Sequence, residues 1–225
     1  MASEEILGNL LPENETGRIS ALHQYEILDT PAESGFDTLA LLAAAIFESN
    51  HAHICFVDQD LVYYKANTGK TGPAAIPRKD SLCALSILSK KTTVLNNDHH
   101  LSEEICFYAA APIINEEGFV LGTIAVTDTK PHIEATDQQL KILEMLAGMA
   151  MEKLEARLAE RKATITYNER LRSLAHDIKN PVTSISLYAQ LLSSKEMNSE
   201  KVFSMASRIE ASSKRIEEKL NNLFI

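Results

Sequence analysis

The spacing of apolar and polar positions divides this 225-residue chain into two regimes. Up to about Asp128 the pattern switches between helical spacing and the two-residue alternation of strands, and from about Glu134 only helical spacing remains. In the first regime, Arg18 to Ile27 predicts a short helix and Phe36 to Phe47 a longer amphipathic one. Ala52 to Val57 and Leu61 to Ala66 predict strands, with Asp58-Gln59-Asp60 as the turn between them. Leu82 to Leu88 is spaced as a helix, and Thr93 to Leu95 as a brief strand. Cys106 to Ile114 and Phe119 to Thr127 predict a central antiparallel pair joined through Asn115-Glu116-Glu117-Gly118. Helices before and within an antiparallel sheet give an α+β domain.

Beyond Pro131 the chain has one more proline, Pro181, and one glycine, Gly148. Leu140, Ala147 and Leu154 fall seven apart with Leu143 and Ala150 between them, an a/d seam of the kind that pairs with another helix. The seam weakens from Arg161 to Asn168 and resumes at Leu171, Ile178, Ile185 and Leu192. A helix from Glu134 to Ser193 would be ~90 Å long at about 1.5 Å per residue, a length suited to connecting modules. Asn198 or Ser199 can cap a second helix, whose Val202, Ile209, Ile216 and Leu223 are again seven apart. Two antiparallel helices with one apolar face each have too little core alone, so two such hairpins are expected to close a four-helix bundle in a homodimer.

Apolar residues make up 45% of the chain, enough for a real core. The net charge of −9 argues against a nucleic-acid partner, because phosphate binding needs clustered Lys and Arg. No uninterrupted apolar run reaches spanning length, and the acidic start, Met1-Ala2-Ser3-Glu4-Glu5, lacks the regions of a signal peptide, so no membrane span and a cytoplasmic location are expected. Cys55, Cys83 and Cys106 are an odd, widely spaced set that reads as reduced thiols.

The candidate chemistry lies in His176-Asp177-Ile178-Lys179-Asn180-Pro181. Leu174 and Ile178 take the seam positions, which turns His176 outward. An exposed imidazole with a pKa of about 6.5 is largely neutral and keeps one basic nitrogen free, a nucleophile for phosphoryl transfer. Asp177 can accept the other ring proton or serve as base. Asn180, one turn along, can hydrogen-bond a water or a phosphoryl oxygen. Pro181 cannot donate to the carbonyl of Asp177, so a bend and a hinge are expected there.

Leu174-Ala175-His176-Asp177-Ile178-Lys179-Asn180-Pro181, followed by Leu187 and Leu191-Leu192, resembles the dimerisation and phosphoacceptor hairpin of sensor histidine kinases, over about 168–225. The resemblance implies that His176 is phosphorylated, that Asp177 is the general base, that Asn180 assists dephosphorylation of a regulator, and that the partner is a response regulator receiver domain. Such kinases carry an ATP-binding domain after the hairpin. This chain has 8 glycines and no glycine cluster to cradle phosphates, so ATP and Mg are expected only through a kinase domain supplied in cis or in trans. The expectation is either a piece of a longer kinase, slightly favoured by the apolar end Leu223-Phe224-Ile225, or a stand-alone phosphotransfer or phosphatase adaptor. A third reading is a non-catalytic sensor that uses its helices to dimerise.

Arg18, Ala21-Leu22, Tyr25, Ile27-Leu28-Asp29-Thr30-Pro31, Glu33 and Phe36-Asp37 resemble the opening of a GAF sensor domain. Phe107 to Ile113, Gly118 and Leu121 to Asp128 resemble its sheet core. The implied organisation is a GAF domain over 1–150 (core about 18–130), a coiled-coil signalling helix over 134–167 and the hairpin over 168–225. The ligand is left open; Leu85 stands where many relatives have His after the Cys83-Ala84 pair. Tyr63, Cys83, Phe107 and Tyr108 are the candidates to line a cavity, or else they are core. Cys83 is expected to be inert if its surroundings are apolar. No metal site is expected: His51 with His53, and His99 with His100, lack a Cys or carboxylate at ligand spacing, and Glu103-Glu104 adds little.

Overall fold

The computed structural model describes residues 11–69, 74–97, 101, 105–130, 135–194 and 198–221. His99, His100, Glu103, Glu104 and Leu223 lie outside the described residues. The chain forms two compact units, Met1–Ala159 and Glu160–Ile225.

The first unit is built on a six-stranded antiparallel sheet. Its strands are β1 (His51–Val57), β2 (Leu61–Asn67), β3 (Ala75–Pro77), β4 (Thr93–Asn96), β5 (Phe107–Ile114) and β6 (Val120–Asp128), in the order β3-β2-β1-β6-β5-β4. β1, β5 and β6 are buried along nearly their whole length, which explains their continuous apolar runs. On one face, Phe107, Ala109, Ala111 and Ile113 pack against α1 (Glu15–Gln24), α2 (Ser34–Phe47) and the first part of α4 (Asp137–Ser194). On the other face, Cys55, Val57 and Val62 pack with Cys83, Ala84 and Ile87 of α3 (Leu82–Ser86) and its C-cap. The apolar stripe from Leu140 to Leu154 finds its cover inside this unit. Leu143, Leu146, Ala147, Ala150, Met151 and Leu154 all join the sheet core, while Met145 and Met149 stay exposed.

Two expectations shift. α1 begins at Glu15 because Asn14 caps it, its side chain accepting from Gly17 N at 3.0 Å. It ends before Ile27, since Glu26 takes a positive φ of 48°. β3 and the 3-10 turn Arg78–Asp80, three residues each, carry no periodic signal.

At Gly122 of β6 the backbone of β1 leaves no room for a side chain. A Cβ there would stand 2.0 Å from the Cys55 carbonyl oxygen, a backbone atom of a central strand that cannot move aside. Gly122→Ala is expected to cost about 1–3 kcal/mol or more, read as a lower urea midpoint at unchanged slope.

Two ion-pair clusters fasten the helices to the sheet. Glu15 takes Arg18 Nε and Nη2 at 2.8 Å each and also pairs with Arg78. Glu33 pairs with Lys65 of β2 at 2.7 Å and Arg157 of α4 at 2.8 Å. Burial alone would raise both carboxyls, but the facing cations outweigh it and hold them below the ordinary glutamate value. With folded values depressed, their contribution is complete above the ordinary value and is lost as pH falls through the folded one. Thermal melts between neutral pH and pH ~3 are expected to show stability falling on acidification, and less steeply in Glu33→Gln.

The second unit holds the rest of α4 and α5 (Ser199–Asn221). Asn198 caps α5, its Oδ1 accepting from Lys201 N at 3.1 Å. Leu174, Ile178, Ile185 and Leu192 are half-buried on α4, as are Met205, Ile209 and Ile216 on α5. Arg208 donates to the Tyr188 hydroxyl at 3.0 Å and lies over its ring, tying the two helices together. α4 stays helical through Pro181, whose ring is buried. The long helix and the hairpin it makes with α5 match the α+β, coiled-helix-and-hairpin architecture expected.

Candidate functional site

His176 stands on the outside of α4 with its side chain 73% exposed. Heptad spacing sets that direction, because Leu174 and Ile178 take the inward positions on either side. Nδ1 of the ring is 3.9 Å from Asp177 Oδ1, beyond hydrogen-bond length, so Nδ1 is the nitrogen nearer the acid and Nε2 the one left to face a reactant. Asp177 is engaged elsewhere: Lys219 of α5 donates to its Oδ2 at 2.7 Å. The Lys219 ammonium lowers the Asp177 carboxyl, and His176 adds a smaller push the same way. Asn180 and Ser184 follow on the same side of α4 as Asp177. With Pro181, Ala211, Ser212, Arg215 and Lys219 they line a cleft of about 480 Å³ beside the acid. Thr183 and Ser184 donate from their hydroxyls to the carbonyls of Lys179 and Asn180, at 2.8 and 3.1 Å, in the turn around the proline. Lys219 is the member that sequence reasoning missed, lying 42 residues from Asp177.

In the first unit, β5 sends successive side chains to opposite faces of the sheet. Phe107 packs on α2, its ring 6.1 Å from that of Phe47. Tyr108 points the other way, sharing a 2.9 Å hydrogen bond with Ser86 of α3 and donating to Cys83 Sγ at 3.9 Å. Tyr63 pairs across the ladder with Phe56, itself in the α2-side core.

A family model for the GAF domain matches residues 25–154, more than half of the chain. The chain belongs to the GAF domain family. A second model, the His Kinase A (phospho-acceptor) domain, matches residues 167–224, which include His176. A GAF domain followed by this phosphoacceptor domain supports a role in histidine-kinase-type signal transduction. The chain is similar to a cyclic di-GMP phosphodiesterase of Pseudomonas aeruginosa, with 28% identity over 154 residues, covering 64% of this chain and 26% of that protein. It thus spans about a quarter of that relative's length. Among solved structures it resembles the GAF domain of an Acinetobacter phosphoenolpyruvate-protein phosphotransferase, at 14% identity and a TM-score of 0.48, over 68% of this chain and 97% of that one. It also resembles the GAF-B domain of DevS from Mycobacterium smegmatis, at 14% identity and a TM-score of 0.48, over 58% and 97%. No helix among the described residues is long and apolar enough to cross a membrane.

Within the GAF unit, the four candidates for a cavity wall do not share one. Tyr63 and Phe107 lie on the α1–α2 face, and Cys83 and Tyr108 on the α3 face. Phe107 and Tyr108 are adjacent in a strand, and neighbours there alternate. On the α3 face the GAF unit gathers a cluster that sequence spacing did not bring together. His53 Nε2 is 3.4 Å from Cys83 Sγ, and Cys55 Sγ is 3.3 Å from Thr123 Oγ1. The signal was present in part: His53 and Cys55 are two apart on β1 and therefore share a face. Hydrogen bonding from Cys55 lowers the Cys83 thiol, burial opposes this, and His53 lowers it further. Burial raises the Cys55 thiol.

Proposed function

We propose that this chain is the sensory and phosphoacceptor portion of a two-component sensor histidine kinase, acting as a cytoplasmic homodimer. The observation that carries the reading is His176, exposed on a paired-helix stem beside an oriented carboxylate, within residues matched by the phosphoacceptor family. In the first step, Nε2 of the neutral imidazole attacks the γ-phosphorus of an ATP held by a kinase domain, in cis or in trans. The bond to the bridging oxygen breaks and ADP leaves with that electron pair. Asp177 accepts the Nδ1 proton in a hydrogen bond that closes the present 3.9 Å gap, and so offsets the positive charge growing on the ring. In the second step, a carboxylate oxygen of a response regulator aspartate attacks the same phosphorus. The nitrogen–phosphorus bond breaks and its electrons return to the ring. Asn180, one turn on, has the reach to orient a water against the regulator's acyl phosphate. Pro181 supplies the weakened turn through which strain from the GAF unit reaches His176.

Dimerisation is supported by what the hairpin leaves uncovered. No residue of α5 is buried, and Leu171, Val182, Leu187, Val202 and Phe203 are exposed at 43%, 45%, 53%, 41% and 75%. A second hairpin would bury these faces. Leu171→Glu combined with Val182→Glu is expected to weaken self-association by about 100-fold or more, some 2.8 kcal/mol at about 1.4 kcal/mol per tenfold, visible as a monomer in sedimentation. An unchanged dimer would refute the bundle.

The direct test of the site is Asp177→Asn, which keeps size and removes the acceptor charge. Phosphoryl acceptance is expected to slow by roughly 10²-fold or more with unchanged helicity. Lys219→Ala is expected to move the Asp177 carboxyl upward, toward its ordinary value, in a carbon-detected titration, because its chief lowering partner is gone.

A further inference from the structure

We propose that His53, Cys55 and Cys83 form a site in the GAF unit for a thiophilic divalent cation, of which zinc(II) is the ordinary member. Their ligand atoms all lie within 4.8 Å of one another. Four-coordinate zinc with bonds of about 2.3 Å to sulfur and 2.0–2.1 Å to nitrogen sets edges of about 3.8 Å between sulfurs and 3.6 Å between sulfur and nitrogen. The His53–Cys83 edge is 3.4 Å, close to that value already. The widest separation needs to close by at most about 1 Å, within reach of small side-chain rotations.

The elements hold the three donors in place. Cys55 and His53 occupy one face of a central strand, and Cys55 pairs with Thr123 across the ladder. Ser81 caps α3 and accepts from Cys83 N at 3.2 Å, fixing the turn that presents that sulfur. The His53 ring is braced edge-on against Tyr64 at 5.2 Å.

The surroundings suit thiolates bound to a metal. The Thr123 hydroxyl reaches Cys55 at 3.3 Å and the Tyr108 hydroxyl donates to Cys83 at 3.9 Å, the outer hydrogen bonds that tune coordinated sulfur. Charge selects the ion: two thiolates and a neutral imidazole neutralise a 2+ cation, and burying a net charge is costly. Both cysteines are essentially buried, at 0% and 1% exposure, while His53 keeps 9%, so the imidazole edge is the side from which an ion arrives. Coordination as thiolates releases thiol protons to solvent, so binding weakens as pH falls. Three protein donors leave a fourth position for a water or a small exogenous ligand, a sensory input unrelated to His176.

The test uses the whole chain, reduced and freed of metal. Cobalt(II) is expected to give a thiolate-to-cobalt charge-transfer band and the visible bands of a four-coordinate ion, saturating at one equivalent. Zinc is expected to displace it and to raise the melting temperature. Cys83→Ala and His53→Ala are expected to weaken zinc binding at least about 100-fold, Tyr108→Phe about 10-fold, and Cys106→Ala not at all. A folded, reduced parent that shows no charge-transfer band and retains no zinc overturns the proposal. So does a band that Cys106→Ala removes as fully as Cys83→Ala. Should Cys83→Ala fail to fold, the cobalt spectrum of the parent decides the matter by itself.

Discussion

Arg18→Ala is expected to remove about 3–5 kcal/mol of folding stability from the GAF unit, the largest loss from any single side chain in it. The guanidinium is 1% exposed and is satisfied on every side. Two of its nitrogens hold the two oxygens of Glu15 at 2.8 Å, and the third donates to the carbonyl of Val57 at the end of β1 at 2.6 Å, with Val120 of β6 at 3.5 Å. Truncation leaves the half-buried Glu15 carboxylate with Arg78 alone, strips the buried Val57 carbonyl of its donor, and opens a cavity where α1 meets the sheet. Arg18→Lys keeps the charge but loses the two-pronged geometry, so it is expected to recover part of the loss. Urea unfolding at neutral pH measures both. A loss under about 1 kcal/mol for Arg18→Ala would show that Arg78 and solvent suffice to hold Glu15.

The second large effect is chemical. His176→Ala is expected to abolish phosphoryl acceptance while changing stability by less than about 0.5 kcal/mol, because the ring is 73% exposed. The two readouts separate a nucleophile from a structural residue. No other histidine occurs between residues 134 and 225, so no neighbour on the stem can take over the nitrogen–phosphorus bond. Asp177→Asn retains the nucleophile and is expected to slow transfer only in part. Lys219→Ala leaves His176 intact and tests how far the ion pair now restrains the carboxylate.

What could be read from the chain follows the range of the interactions involved. α2, β1, β2, β5 and β6 each carry their own period and turn residues, and all were legible within a residue or two. β3 and the turn at Arg78–Asp80 were not, because three residues hold no period. The direction of His176 was legible, being fixed by its heptad neighbours. Its surroundings were not. Lys219 reaches Asp177 only after the hairpin closes. The same limit hid the His53, Cys55 and Cys83 cluster, which joins a strand to a helix 30 residues on. The alternation of β5 already separates Phe107, on the α2 side, from Tyr108, on the other, so these neighbours cannot line one cavity.

The central claim is that His176 Nε2 carries phosphorus. The whole chain is incubated with a histidine-kinase ATP-binding domain fused after Ile225 in continuous helical register, with labelled ATP and Mg. The label is then followed for acid lability and mapped by peptide fragmentation. The account predicts an acid-labile, alkali-stable label on His176 that is absent from His176→Ala and passes to a receiver-domain aspartate. Equal labelling of the parent and His176→Ala, or a label mapped to any other residue, would contradict it.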